Sequence, residues 1–230
     1  METEDPPTGS KGHRVKEKLE ILEEMYALHD RALADLGMGD TACGKGCDSC
    51  CTCNVTLTGL EMDYIRQGLD EAGQQRMLEL AQTRAPEPRF RPRLTLNGFA
   101  KACMDGRDVP EEENDPNWGK CPLLGDDGAC TIYPLRPFGC RSLVSTHSCA
   151  QKGYADMAPE ILTLNNVFIQ FIEHLDQGGA MGNFSDMIQS IDSDGADGLI
   201  KNQPIPVIMV EPDFQDRLVP VIQQIQALLT

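Results

Sequence analysis

Aromatic residues are scarce in this chain of 230 residues: they make up 5% of it, with a single Trp. Any buried core must be largely aliphatic, and a hydrophobic content of 40% at this length suffices to build one without disulfide staples. Positive charge is also short. Lys and Arg number 20 against 36 Asp and Glu, a formal net charge of −16. Such a surface repels phosphate backbones, which argues against nucleic acid as a partner. No apolar run is long enough to cross a bilayer, which argues against a membrane partner. The opening METEDPPTGSK is polar and acidic and lacks the apolar stretch of a secretion signal. Residues 1–12 read as a disordered tail, and the protein is expected in a reducing cytoplasm. No Gly-rich nucleotide loop, Ser/His/Asp order or paired-carboxylate setting stands out.

What the chain does have is sulfur. Its ten cysteines fall in two knots: Cys43, Cys47, Cys50, Cys51 and Cys53, then Cys103, Cys121, Cys130, Cys140 and Cys149. Thiols this dense either cross-link or hold metal. In a reducing compartment metal is the expected outcome, and the even count leaves disulfides as the other possibility.

The rest of the chain reads as mainly helical. Val15, Leu19, Leu22, Tyr26, Leu33 and Leu36 recur at helical spacing, and Gly37 and Gly39 should end that helix. Thr58 and Glu61 form a capping-box pattern ahead of Leu60, Tyr64, Ile65 and Leu69. Another helical piece surrounds Met77, Leu78 and Ala81. Residues 86–93, PEPRFRPR, predict an extended connector, because three prolines forbid a helix. The acidic stretch Asp105 to Lys120 predicts an exposed loop. Pro159 suits a first helical turn, followed by a stripe of Ile161, Leu164, Phe168, Phe171, Ile172 and Leu175 and a stop at Gly178-Gly179. An apolar run from Ile205 to Val210 precedes a last amphipathic helix carrying Leu218, Ile222, Ile225 and Leu229, with Pro220 near its start. One β-hairpin is expected, Cys121 to Leu124 against Ala129 to Tyr133, turning at Gly125 to Gly128. The expected fold is mainly α with a small β-hairpin, an irregular cysteine-rich centre being flanked by helices. Residues 13–230 form a single domain, with a metal-binding core at about 40–150 and a helical extension at 151–230.

Cys47 and Cys50 have the spacing that lets two thiolates chelate one centre from a tight turn. Cys43-x3-Cys47-x2-Cys50 also matches the spacing of radical-SAM enzymes, but the chain lacks their long alternation of strands and helices. Cys50 and Cys51 are successive, with Cα atoms about 3.8 Å apart, so they are poorly placed to share one small ion. That favours two centres or one multinuclear cluster. Two tetrathiolate sets would be Cys43, Cys47, Cys50 and Cys51, and Cys121, Cys130, Cys140 and Cys149. A mixed pairing across the knots is the other arrangement. The irregular spacing of the second knot favours iron–sulfur over zinc. Arg136 and Arg141 lie within the second knot, where a cation would offset cluster charge.

The run Cys43-x3-Cys47-x2-Cys50-Cys51, then Cys121 to Leu124, Gly128 to Tyr133, Arg136 to Arg141 and Cys149, resembles the YkgJ-like cysteine-cluster family. The resemblance covers about residues 40–150 and implies chelation of zinc or iron. A related cysteine cluster occurs in the bacterial flagellin lysine methylase, which carries much additional sequence. It puts a cluster-dependent modifying enzyme beside the leading expectation of a metal-binding protein. A structural zinc module docking an unidentified protein is a further alternative. Cys53 and Cys103 fall outside the matched pattern and read as buried or idle thiols. His147 reads as a surface histidine, and Asp192 to Gly198 as an acidic turn that fails the calcium-loop pattern.

Overall fold

The computed structural model describes residues 9–39, 41–109, 111–192 and 198–230. The tail reading concerns residues that lie mostly outside this range, and so do most residues of the acidic turn at Asp192 to Gly198. The first helix, α1, runs Gly9–Leu33 and passes into a π-helical turn, Ala34–Met38. Gly37 takes φ 85° inside that turn. Side chains rarely tolerate this conformation, so the glycine lets the chain leave the helix and enter the first cysteine knot.

A short strand, β1 (Thr56–Thr58), then leads into α2 (Gly59–Gly68). The capping box forms as expected. Thr58 Oγ1 accepts from the Glu61 N–H at 3.3 Å, and Glu61 Oε2 accepts from the Thr58 N–H at 2.8 Å. Helix α3 spans Glu71–Arg84, and α4 spans Leu96–Met104, where the sequence reading assigned nothing. Two four-residue helices follow, α5 (Phe138–Arg141) and α6 (Cys149–Lys152). The long α7 (Pro159–Leu175) starts on its proline. Strand β2 (Ala180–Asn183) runs straight into α8 (Phe184–Gln189); β3 (Ile200–Lys201) and α9 (Gln215–Leu228) complete the chain. Pro220 lies inside α9 rather than in its first turn.

The mainly helical class holds, but the sheet is not the expected hairpin. It is three-stranded and antiparallel, in the order β1-β2-β3, with Leu57 opposite Gly182 and Met181 opposite Ile200. The turn at Gly125 to Gly128 does form: Gly128 takes φ 75° and Gly125 N–H donates to Ala129 O at 2.8 Å. Its arms pair only as a bridge between Leu124 and Cys130. Pairing stops there because both arms turn: the Leu124 N–H donates back to Cys121 O at 3.1 Å, the Tyr133 N–H to Cys130 O at 3.3 Å, and Tyr133–Leu135 coils into a 3₁₀ turn. The central pairing, β1 with β2, joins residues more than 120 positions apart along the chain, so no local pattern announces it.

Burial falls into two apolar clusters. One packs α1, α7 and α9 together through Leu22, Met25, Leu164, Phe168, Leu218 and Ile225, and takes in Phe138 and Val144. Each fully buried side chain of this size contributes about 1.5–3 kcal/mol. The other joins β1, α2, α3 and α8 through Leu57, Ile65, Met77 and Ile188, together with Leu123 and Ile132. Half of the few aromatics lie in or against the first cluster: Tyr26, Tyr64, Phe138, Phe168, Phe171 and Phe214. Phe138 stacks between Tyr26 and Phe168, at centroid distances of 6.3 and 5.8 Å, and His29 meets it edge-on at 4.7 Å. That stack fixes the start of α5, and so the place of Cys140.

Candidate metal centre

The first knot sits on an irregular loop between the π-helical turn and β1. Tight turns shape it: the Cys47 N–H donates to Gly44 O, and the Cys51 N–H to Asp48 O. Its leading end is stitched to the far part of the second knot. The Ala42 N–H donates to Ser145 O at 2.8 Å, and Cys43 Sγ lies 3.7 Å from Leu143 O. Its trailing end is stitched to the near part. The Cys121 N–H donates to Cys51 O at 3.0 Å, the Cys53 N–H donates to Gly119 O at 2.9 Å, and Thr52 bridges Lys120.

Seven cysteines from the two stretches line one cavity of about 310 Å³: Cys43, Cys47, Cys50, Cys51, Cys121, Cys130 and Cys140. It opens where the two apolar clusters meet, with Leu33, Met38 and Val144 on one wall and Leu123, Ile132 and Phe184 on another. Cys149 is buried at the start of α6 and does not line it. All ten cysteines are free thiols. Among the described residues, no three Cys, His, Asp or Glu side chains form a group that could hold a metal ion as they stand. The sulfurs surround a space and do not close on a point.

The thiols act on one another electrostatically. Burial pushes Cys121 up to about 11 and Cys140 well above the ordinary range, and Cys140 is raised further by Cys121, Cys130 and Cys50. Cys50 is drawn down to about 6 by a hydrogen bond from the Cys51 thiol, and that bond drives Cys51 strongly upward. Cys43 is raised by burial and then by Cys149, Cys47 and Cys50.

Arg136 and Arg141 both line the cavity but are used differently. The Arg141 guanidinium donates to Arg136 O at 2.8 Å and Pro134 O at 2.7 Å, and lies 4.4 Å over the Tyr26 ring. It braces the chain between the 3₁₀ turn and α5. Arg136 lies 4.0 Å over the Tyr133 ring, and its buried Nε has no hydrogen-bond partner. Its positive charge lowers Cys50, Cys130 and Cys140.

Cys53 and Cys103 also lie off the cavity wall. Cys53 is buried, and its Sγ lies 3.4 Å from Asn54 Oδ1. Cys103 is exposed on α4. His147 is exposed and pairs with Asp156 at 3.3 Å. The sequence reading gave Glu61 only a capping role. Its buried carboxylate also accepts from the Phe138 N–H at 2.7 Å and the Tyr26 hydroxyl at 3.0 Å. One side chain thus joins α1, the α2 cap and the N-terminus of α5. Its acid residue at the third helical position was the only local signal, and that says nothing of the distant donors.

An all-thiol wall suits borderline and soft metals, zinc and iron among them. The unpartnered Arg136 Nε beside it fits an anionic thiolate centre. Fold and site together define a helical protein with a cysteine-walled cavity fit for metal chelation. A family model, CxxCxxCC, described as a “Putative zinc- or iron-chelating domain”, matches residues 42–159, and the chain belongs to that family. No curated protein and no solved structure matches it.

Proposed function

We propose that this chain is a cytoplasmic iron–sulfur protein, its clustered cysteines supplying the thiolate ligands and zinc being the alternative occupant. The observation that carries the reading is the meeting of seven cysteines from distant stretches on one cavity wall. Their placement around a volume favours a multinuclear group over a single small ion, and so does the succession of Cys50 and Cys51. Arg136 supplies a cation for the negative charge that four thiolates leave around either metal. The cavity's other walls are largely apolar, which limits water around such a centre.

Anaerobic purification followed by metal and acid-labile sulfide analysis tests this. Brown protein holding both iron and sulfide is the expected result. Colourless protein with stoichiometric zinc would replace iron by zinc, and protein that takes up neither metal would overturn the chelating role itself.

A further inference from the structure

We propose that the eight cysteines divide into two four-sulfur sets that each span both knots: Cys43, Cys47 and Cys50 with Cys149, and Cys51 with Cys121, Cys130 and Cys140. This rests on the metal-binding reading above and assigns ligands within it. The backbone carries the argument. Hydrogen bonds hold the loop's leading end, at Ala42, against Ser145, four residues before Cys149, and Cys43 Sγ faces Leu143 O. The trailing end is paired with the strand of chain that carries Cys121, through Cys51 O, the Thr52–Lys120 bridge and the Cys53 N–H. Cys121 and Cys130 are drawn together by the Leu124–Cys130 bridge and the Thr131 N–H bond to Leu123 O. Thus the loop's two ends lie against different parts of the second knot.

The lining of the cavity agrees. Cys51, Cys121, Cys130 and Cys140 all face it, whereas Cys149 is buried off its wall, on the side where the loop's leading end is held. Cys50 stands at the seam, and its set follows from Cys51. Two successive residues are poorly placed to serve one small centre, and the second set is complete with Cys51. The consequence is mechanical. Neither knot closes on itself, so each centre ties the loop at 41–54 to the segment at 119–149.

The test uses full-length protein purified without oxygen, with metal content per chain and the visible absorption or electron paramagnetic resonance spectrum as readouts. C43S, C149S, C51S and C121S should each remove one centre, lowering metal content by about half if the sets act independently. The doubles C43S/C149S and C51S/C121S should lose no more than either single, whereas C43S/C121S and C149S/C51S should lose nearly all metal. Because a variant could fail to fold, the wild-type protein gives a second reading. Metal is withdrawn in steps, freed thiols are trapped with iodoacetamide, and the labelled residues are read by peptide mass spectrometry. Labels should appear in the two groups named above. Labelling of Cys43, Cys47, Cys50 and Cys51 as one group, or of all eight in a single step, would overturn the division and leave chelation standing. Wild-type protein that takes up no metal overturns both.

Discussion

Two titratable groups outside the cysteine wall, half-buried Asp176 and buried His29, pull stability in opposite directions as pH changes. Asp176 sits where its Oδ2 accepts from the Leu60 N–H at 3.1 Å and from Asn202 Nδ2 at 2.8 Å. Burial raises its pKa to about 6 all the same. The folded chain therefore holds that proton more tightly than the unfolded chain, where a carboxyl titrates near pH 3.9. Its contribution is fully present below about pH 4 and is lost as pH rises through about 6. His29 has the other sign. Burial lowers its pKa, although Nε2 lies 2.8 Å from Asn165 Oδ1. Its contribution is present above about pH 6.5 and fades as pH falls. Asp176→Asn isolates the first of these. Relative to wild type, the variant should gain stability between pH 4 and 7, because the amide keeps an acceptor and carries no charge. Urea midpoints of both proteins across that range, at equal metal loading, check this. A constant difference would mean that Asp176 titrates normally.

Elements depend on one another here through a single carboxylate. Glu61 accepts from Thr58, Tyr26 and Phe138, and its pKa is raised by burial against those hydrogen bonds. Glu61→Ala would leave several buried donors without an acceptor, at about 1–3 kcal/mol each. A loss of at least ~3 kcal/mol in equilibrium unfolding is expected. Because α5 starts at Phe138, the variant should also retain metal less tightly than Glu71→Ala, a change on exposed α3 surface. Unaltered metal retention in a folded variant would show that Cys140 does not depend on this anchor. The capping half of this arrangement was legible in the sequence, since Thr58 and Glu61 follow a local rule. So were α1, α2, α3, α7 and α9, whose apolar stripes run for several turns. The links to Tyr26 and Phe138 were not, because each donor comes from a different part of the chain. For the same reason the sheet went unseen: β1, β2 and β3 have 3, 4 and 2 residues, too few to show alternation. The site was legible as composition, for cysteine spacing named all seven cysteines that line the cavity. Cys149 was named with them but stands off the wall, and the sequence alone left the pairing of the knots open.

At the scale of the whole molecule, the helical core and the cysteine region are held by different forces. The α1, α7 and α9 assembly is closed by Leu22, Phe168 and Leu218, which are fully buried and need nothing from the thiols. The loop at 41–54 contributes little to either apolar cluster. It is held by a handful of backbone hydrogen bonds to Ser145, Cys121 and Gly119, by side-chain bonds at its end (Asn183 Nδ2 to Cys53 O, Asn54 Nδ2 to Asp115 O and the Phe90 N–H to Asn54 Oδ1) and by an exposed pair between Asp48 and Lys120. An exposed pair of this kind contributes about 0–1 kcal/mol. Where a loop lacks apolar burial, metal binding supplies its folding free energy. Withdrawal of metal should therefore act unevenly. Amides of the loop and of residues 119–133 should exchange with solvent more than about tenfold faster, a change of ~1.4 kcal/mol in local opening. Residues 138–145 should respond less, because Phe138 stays in the aromatic stack and its N–H stays on Glu61. Protection in α1, α7 and α9 should hardly change. Hydrogen exchange read by mass spectrometry, on loaded and chelator-treated protein under nitrogen, distinguishes these outcomes. Loosening that spreads evenly through α1 and α7 would mean that the metal supports the whole fold. No change in the loop would mean that its few hydrogen bonds already suffice and that the thiols contribute nothing to its order.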